Sequence, residues 1–153
     1  MDYVSYIRGM VGHEPVMLIA GGMILHDGEG RILLQQRRDC GKWGISGGIC
    51  ELGETAAQAA HRELLEETGL TASEEYLLGI YSSNEIRELE NGDKVQTFTV
   101  VLVGHVTGGT PTEGNEETAA LGWFAENEIP EIYSARHKKI IEDYFKGARG
   151  VCC

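Results

Sequence analysis

The chain has 153 residues, of which 42% are apolar, so it is long enough to form one domain with its own core. It carries 13 basic and 24 acidic side chains, a formal net charge of -11. Because so acidic a surface repels phosphate backbones and anionic lipids, we expect neither nucleic acid nor a membrane as a partner. The acidic surface is still compatible with a small polyanionic substrate if a divalent cation lies between the substrate's phosphates and the protein's carboxylates.

Compartment signals in the sequence favour the cytoplasm. Residues 1–10 include charged side chains and lack the apolar core of a signal peptide, and the apolar run Val16–Leu25 is too short to span a bilayer. The four cysteines form no C-x-x-C pair, which is typical of a reducing compartment. We expect Cys152–Cys153 to be a frayed tail, with a lipidation site as the alternative.

The first third of the chain predicts a short helix followed by strands. The helix covers Asp2–Met10, and β-rich runs follow at Met17–His26 and Arg31–Arg37. The sequence D-G-E-G at residues 27–30 predicts a hairpin between these two runs. A glycine-rich segment, G-K-W-G-I-S-G-G at residues 41–48, is interpreted as a loop.

Thr55–Thr68 is the clearest predicted helix. Thr55 and Gln58 have the spacing of a capping box at its start. Alanine and leucine favour the helix interior, and Gly69 stands where a left-handed residue commonly ends a helix.

The second half predicts more strands and a closing helix. Strands are expected at Tyr76–Ser82, Val95–Val106 and Leu121–Phe124, with a turn at residues 91–92 (N-G). Ser134–Phe145 predicts an amphipathic helix that ends by about residue 147. We therefore expect a single domain over residues 1–153 in the α+β class, a mixed α/β sandwich rather than a doubly wound parallel fold.

Three carboxylates lie close together around the predicted central helix. At about 100° per residue, Glu63, Glu66 and Glu67 share roughly 100° of the helix surface. Like charges at these spacings destabilise a helix, and a hard divalent cation would remove the repulsion. A solvated acidic face is the alternative for the helix considered alone. Arg62 is placed to orient one of the acids, and the carboxylates are expected at a surface site.

The surrounding spacing matches a longer pattern, G-x5-E-x7-R-E-U-x-E-E-x-G-U, where U is aliphatic. This segment, Gly48–Leu70, resembles the complete box of the Nudix hydrolase (MutT-like) family. The matching positions are Gly48, Glu54, Arg62-Glu63-Leu64, Glu66-Glu67 and Gly69-Leu70.

Weaker similarities extend to most of the chain. Residues 43–48 (W-G-I-S-G-G) are similar to the family's W-x-x-P-G-G, with Ser46 in place of proline. Glu117 precedes Trp123–Phe124 as an acidic residue does in many members, and Glu128-Ile129-Pro130 resembles the family's E-L-P. The resemblance implies the Nudix α/β/α sandwich, with a mixed sheet between helices.

The resemblance also implies a site and a reaction, hydrolysis of a pyrophosphate bridge by metal-activated water. It implies that Mg²⁺, or Mn²⁺, is bound by Glu63, Glu66 and Glu67, with the Gly47 carbonyl as a further ligand. Glu54 would lie near the metal as an outer ligand or a base, and Arg62 would hold Glu54 and Glu66. Glu63, Glu66 or Glu117 would take the proton from water, and this choice stays open.

Substrate contacts are expected from Arg37 and from the glycines at 47 and 48, which allow a phosphate to approach the backbone. For Arg37 the equal alternative is a solvated side chain at the end of its strand, without contact to substrate. The loop Asn84–Lys94 is expected to border the pocket, and its acidity disfavours long polyphosphates. Family markers for ADP-ribose, NADH and dinucleoside polyphosphates are missing.

The expected substrate is therefore a nucleoside triphosphate, damaged ones included, or a nucleotide sugar. The alternatives are a non-catalytic nucleotide-binding regulator and, more weakly, an isomerase or a metal-binding structural protein on the same fold. A homodimer is expected only by analogy with relatives.

Overall fold

Three α-helices and nine β-strands are found in the computed structural model, which describes residues 1–112 and 114–153. The helices are α1 (Tyr3–Val11), α2 (Ala56–Thr68) and α3 (Ala135–Phe145). The strands are β1 (Val16–His26), β2 (Arg31–Arg37), β3 (Trp43–Gly44), β4 (Ser46–Ile49), β5 (Leu70–Ser82), β6 (Arg87–Glu88), β7 (Lys94–Gly109), β8 (Thr118–Ala125) and β9 (Val151–Cys152). A short 3₁₀ helix spans Glu126–Glu128. No helix in the described part of the chain is long and apolar enough to cross a membrane.

The strands form one mixed sheet whose main path runs β3-β2-β1-β7-β5-β9. β4, β6 and β8 pair with β1, β7 and β2 respectively. β1 is parallel to β7 along its whole length, and β5 is antiparallel to β7. β1 and β2 share only the pair His26↔Ile32, because β1 continues along β4 and β7 while β2 pairs with β8. The predicted hairpin at residues 27–30 is therefore confirmed only at its tip.

Two cores lie on opposite faces of the sheet, which confirms the predicted α/β/α sandwich. Because successive side chains of a strand point to opposite faces, β1 contributes side chains to both cores. Met23 and Leu25 pack in the core under α2, which contributes Leu64. Ile24 packs in the core under α3, which contributes Ile140.

The glycine-rich segment differs from the predicted loop, since it contains the short strands β3 and β4. β4 pairs antiparallel with β1, and here glycine faces glycine, with Gly21 opposite Gly48. A Cβ at Gly21 would lie 2.1 Å from the carbonyl oxygen of Ala56, so only glycine allows α2 to approach β1 this closely. This close approach brings the acidic face of α2 against β4.

The chain end also differs from prediction. The frayed tail expected at Cys152–Cys153 is wrong, because β9 adds to the sheet edge parallel to β5. The backbone N–H of Cys153 donates to the carbonyl of Ile80 at 3.0 Å. Short runs without a periodic pattern cannot be recognised as strands from sequence, since the neighbouring strand supplies the pairing.

Candidate active site

Helix α2 positions the acidic residues, and both of its ends are fixed locally. The Thr55 side chain accepts the N–H of Gln58, and the Gln58 side chain accepts the N–H of Thr55, so the predicted capping box is present. Gly69 ends the helix in the left-handed conformation, at φ 76°, as expected. The last turn, which carries Glu66 and Glu67, therefore has a defined orientation against the sheet.

Glu67 is the most unusual side chain of the site, because it is only 5% exposed. The Gln35 amide donates to its carboxylate, and the Gly47 N–H contacts it at 3.4 Å. Burial, together with the negative charge of Glu63, raises the pKa of Glu67 to about 9. The expectation of a surface site is wrong for this residue, since the helical angles alone do not show that β2 and β4 cover it.

Arg62 organises the other carboxylates. Its guanidinium donates to both oxygens of Glu54, at 2.7 and 3.0 Å, and to Glu63 at 2.6 Å. It also donates to the carbonyl of Ile49 at 3.0 Å, which ties α2 to the end of β4. The hydrogen bonds from Arg62 lower the pKa of Glu54 to about 2, so this carboxylate stays ionised at neutral pH.

Glu66 is placed differently from its two acidic neighbours. Its side chain is 59% exposed and reaches Arg62 only at 3.5 Å. Glu63, by contrast, is 16% exposed, and its carboxylate lies directly against β4. The structure thus brings Glu63 and Glu67 together and leaves Glu66 at the rim.

Gly48 leaves the space that the Glu63 carboxylate occupies. A Cβ at Gly48 would lie 2.3 Å from the carboxyl carbon of Glu63. Gly47 is constrained by backbone instead, since its Cβ would lie 2.8 Å from the carbonyl oxygen of Gly21. The two glycines therefore act as the floor against which the carboxylates lie.

The donor set fits a hard divalent cation at Glu63 and Glu67. Two neighbouring carboxylates, one of them buried, repel each other when both are ionised, and no cationic side chain of the described residues lies within 4.0 Å of the Glu67 carboxylate. Oxygen ligands are those that Mg²⁺ and Mn²⁺ prefer. Within residues 1–112 and 114–153, no three His, Cys, Asp or Glu side chains converge as a ready-made metal cluster. The cation would thus be held by two carboxylates plus other oxygen atoms.

Two cavities meet beside this site. The larger, of about 810 Å³, runs from Gly47 and Gly48 to the first turn of α3. The smaller, of about 360 Å³, is lined by Glu67, Arg37 and Glu117 among others. Loop 84–94 contributes Glu85, Ile86, Arg87, Leu89 and Asp93 to the larger cavity, so it borders the pocket as expected.

Arg37 is ion-paired rather than free. It donates to both carboxylate oxygens of Asp39, at 3.0 and 2.7 Å, and its guanidinium lies 4.4 Å from the centre of the Tyr133 ring. The Asp39 carboxylate raises the pKa of Arg37. Glu117 is anchored through its backbone, whose N–H donates to Asn115 at 2.9 Å, while its side chain is exposed.

His137 stands between the two cavities, and the sequence reasoning did not single it out. Its Nδ1 accepts the Ile45 N–H at 3.1 Å, and its Nε2 contacts the Tyr133 hydroxyl at 3.0 Å. Burial, together with the charges of Arg37 and Arg136, lowers the pKa of His137 to about 3, so the ring is neutral at neutral pH. The neutral ring fixes the strand segment just before Gly47.

Gln35 is the other residue that the sequence reasoning missed. It lies in β2, donates to Glu67 and accepts the Thr118 hydroxyl at 2.8 Å. The sequence signal that could have identified it is the polar pair Gln35–Gln36, which directly follows the apolar run I-L-L in β2. Gln35 lies where this strand passes the site. The contact between Gln35 and Glu67 depends on how β2 packs against α2, and the sequence of β2 does not show this.

Known proteins resemble this chain in sequence. The NUDIX domain model matches residues 17–144. The chain is 32% identical over 121 residues, 79% of this chain and 75% of the relative, to a putative 8-oxo-dGTP diphosphatase of Bacillus subtilis (strain 168). It is 33% identical over 125 residues, 80% of this chain and 70% of the relative, to an ADP-ribose pyrophosphatase of Methanocaldococcus jannaschii.

Solved structures share the fold. A MutT NUDIX hydrolase from Burkholderia pseudomallei superposes with a TM-score of 0.70 at 26% identity, covering 84% of this chain and 98% of that one. A UDP-X diphosphatase gives a TM-score of 0.70 at 22% identity, covering 97% and 72%, which bears on the fold alone. The chain belongs to the NUDIX family. It is a hydrolase of phosphoric anhydride bonds, the class that its named relatives share.

Proposed function

We propose that the protein hydrolyses the pyrophosphate linkage of a nucleoside triphosphate or a nucleotide sugar, with Mg²⁺ as the cation and Mn²⁺ as a substitute. The observation that carries the proposal is the buried carboxylate of Glu67 beside Glu63, without a cationic partner in the described residues. An uncompensated buried carboxylate is costly, so its presence beside a large cavity favours a bound cation as its function.

The cation would be held by Glu63 and Glu67, with the carbonyl of Gly47 and the exposed Glu66 completing the proposed set. When bound, it would neutralise phosphate charge and make water a better nucleophile. The chain's own contribution is positioning. Arg62 holds Glu63 and Glu54 in place, and Glu54 in turn accepts the Glu51 N–H at 2.8 Å, which fixes the loop before α2.

The proton of the attacking water needs a carboxylate that is not held by strong hydrogen bonds. Glu63 accepts a 2.6 Å hydrogen bond from Arg62, so one of its oxygens is already occupied. Glu66 and Glu117 are more open, and Glu117 lines the same cavity as Glu67. We propose these two as the alternatives for the base, and a comparison of the pH–rate profiles of Glu66→Gln and Glu117→Gln separates them.

The cavity and the relatives support the proposed substrate class. A volume of about 810 Å³ lies in the range of nucleotide-sized ligand pockets. The relatives reported above are named as a putative 8-oxo-dGTP diphosphatase and an ADP-ribose pyrophosphatase, and both of these compounds contain a nucleoside joined to a pyrophosphate. We propose that the nucleotide enters the larger cavity with its pyrophosphate at Gly47 and Gly48.

The cysteine pattern, which lacks a C-x-x-C pair, favours the cytoplasm as the compartment in which the protein acts.

One assay tests the proposal. The protein is incubated with Mg²⁺ and a panel of nucleoside triphosphates, oxidised ones included, and nucleotide sugars, and released phosphate, pyrophosphate and nucleoside monophosphate are measured. We expect cation-dependent release from a subset of the panel, with none in the presence of EDTA. Binding of nucleotides without any product would contradict hydrolysis and favour a nucleotide-binding regulator.

A further inference from the structure

Arg136 lines the larger cavity, and no carboxylate of the described residues lies within 4.0 Å of its guanidinium. It lies in the first turn of α3, and its one hydrogen bond in the described part of the chain is to the Thr99 hydroxyl, at 3.4 Å. Thr99 itself is only 8% exposed, so the guanidinium lies over the floor of the cavity. Burial, together with the charge of Arg87, lowers the pKa of Arg136. A partly desolvated cation without a directly paired carboxylate is costly, and an anionic ligand would offset this cost.

Arg87 adds a second positive charge to the same cavity. It pairs with Val95 across β6 and β7, and directly opposed residues share a face of the sheet. Both Arg87 and Val95 line the cavity. Arg87 forms no ion pair within 4.0 Å among residues 1–112 and 114–153. Two guanidinium groups thus face one space and repel each other there.

Most other arginines have a partner of a different kind. Arg8, Arg31, Arg37 and Arg62 are ion-paired with carboxylates. Arg38 donates to the Asn115 carbonyl and Arg149 lies over the Tyr76 ring. Of the acidic residues that line the larger cavity, Asp93 is already paired with His13 at 2.8 Å, and Glu85 pairs with neither arginine in the described structure. Within the described residues, neither carboxylate of loop 84–94 that lines the cavity is therefore ion-paired with Arg87 or Arg136.

We propose that Arg136 and Arg87 form a subsite for a second anionic group of the substrate, distinct from the pyrophosphate that reaches the cation. The subsite would take a carboxylate or a phosphate, because guanidinium groups bind both with paired hydrogen bonds. The placement of the pyrophosphate at Gly47 and Gly48 rests on the proposed function. The preferred substrate is then a nucleoside diphosphate derivative with an acidic distal group.

Two matched pairs of compounds identify the group. UDP-glucuronate and UDP-glucose differ by a carboxylate against a hydroxymethyl group, and ADP-ribose 2′-phosphate and ADP-ribose differ by one phosphate. Dissociation constants are measured by calorimetry in Ca²⁺, so that turnover is not needed for the readout. We expect the acidic member of one pair to bind about 10- to 100-fold more tightly, the range for hydrogen bonds to charged groups.

Variants assign the preference to the arginines. Arg136→Gln should remove the preference by weakening only the acidic member, and Arg87→Gln, an exposed position that does not endanger folding, should reduce it. Arg149→Gln makes the same charge change outside this cavity, where the guanidinium lies 3.9 Å from the centre of the Tyr76 ring, and should keep the preference.

The outcomes separate this inference from the proposed function. Equal binding of both members in both pairs overturns the subsite, even if Mg²⁺-dependent hydrolysis is found. Equal weakening of both members by Arg136→Gln also overturns it, because the arginine would then hold a group common to all the compounds. A preference that depends on Arg136, without hydrolysis of these compounds or of the nucleoside triphosphates in Mg²⁺, supports the subsite and contradicts only the proposed function. Absence of binding of all four compounds overturns the subsite, and the hydrolysis of nucleoside triphosphates is then decided by the assay of the proposed function.

Discussion

Gly48→Ala tests whether the position of the Glu63 carboxylate decides activity. The new Cβ would lie 2.3 Å from the carboxyl carbon of Glu63, and an ordinary contact begins at 3.4 Å, so the carboxylate must retreat by about 1 Å. The backbone need not move, since Gly48 does not adopt a positive φ and the obstructing atoms are the far end of a side chain. We expect kcat/KM to fall about 100-fold with little change in melting temperature, because misplacement by about 1 Å is enough to disrupt catalysis.

Two glycine variants control this result. Gly9→Ala in α1 meets no atom within 4 Å and should leave kcat/KM unchanged. Gly47→Ala meets the backbone of Gly21 at 2.8 Å, which cannot retreat as a side chain does, so it should lower the melting temperature as well as the rate. Hydrolysis rates and thermal unfolding are measured for all three. A Gly48→Ala rate within twofold of wild type would refute the reasoning.

The remaining predictions concern residues that position the site. Arg62→Lys should lower kcat/KM about 10-fold with KM changed less, because a lysine lacks the planar guanidinium that reaches Glu54, Glu63 and the Ile49 carbonyl at once; an unchanged rate would contradict the role of this set of contacts. His137 has a folded pKa of about 3 against 6.5 for the free side chain, so the folded state binds fewer protons between these values and loses stability as pH falls below 6.5. The loss is up to about 1.4 kcal/mol per pH unit, and His137→Gln should reduce it in urea unfolding at pH 7 and 4.5; equal losses would contradict it.

Local signals made much of the fold predictable. Helix α2, its capping box and Gly69 follow from short-range chemistry, and the structure confirms all three. Strand β2 was predicted with its observed bounds, Arg31–Arg37, because its apolar run is bounded by turn residues. β5 begins at Leu70 rather than Tyr76, since its first half alternates too weakly to be recognised and is defined by pairing with β7.

The site was predictable in its acidic residues and not in their surroundings. The spacing placed Glu63, Glu66 and Glu67 on one helix surface, but burial of Glu67 depends on Gln35 and β4, which are distant in sequence. Arg136 gave no sequence signal, because an arginine in an amphipathic helix is ordinary until its cavity and missing partner are known. Long-range packing therefore decides which charges of this chain are functional candidates.

Glu67→Gln tests the central proposal most directly, since it removes the carboxylate that would ionise to bind the cation and keeps the side chain's shape. Turnover and melting temperature are measured for wild type and variant across a Mg²⁺ titration. We expect wild-type turnover to rise with Mg²⁺ and its melting temperature to rise with it, because a ligand that binds only the folded state stabilises it. The variant should fold, lose about 100-fold or more in turnover and lose the Mg²⁺-dependent shift. Near-wild-type turnover of Glu67→Gln at saturating Mg²⁺ would contradict the account.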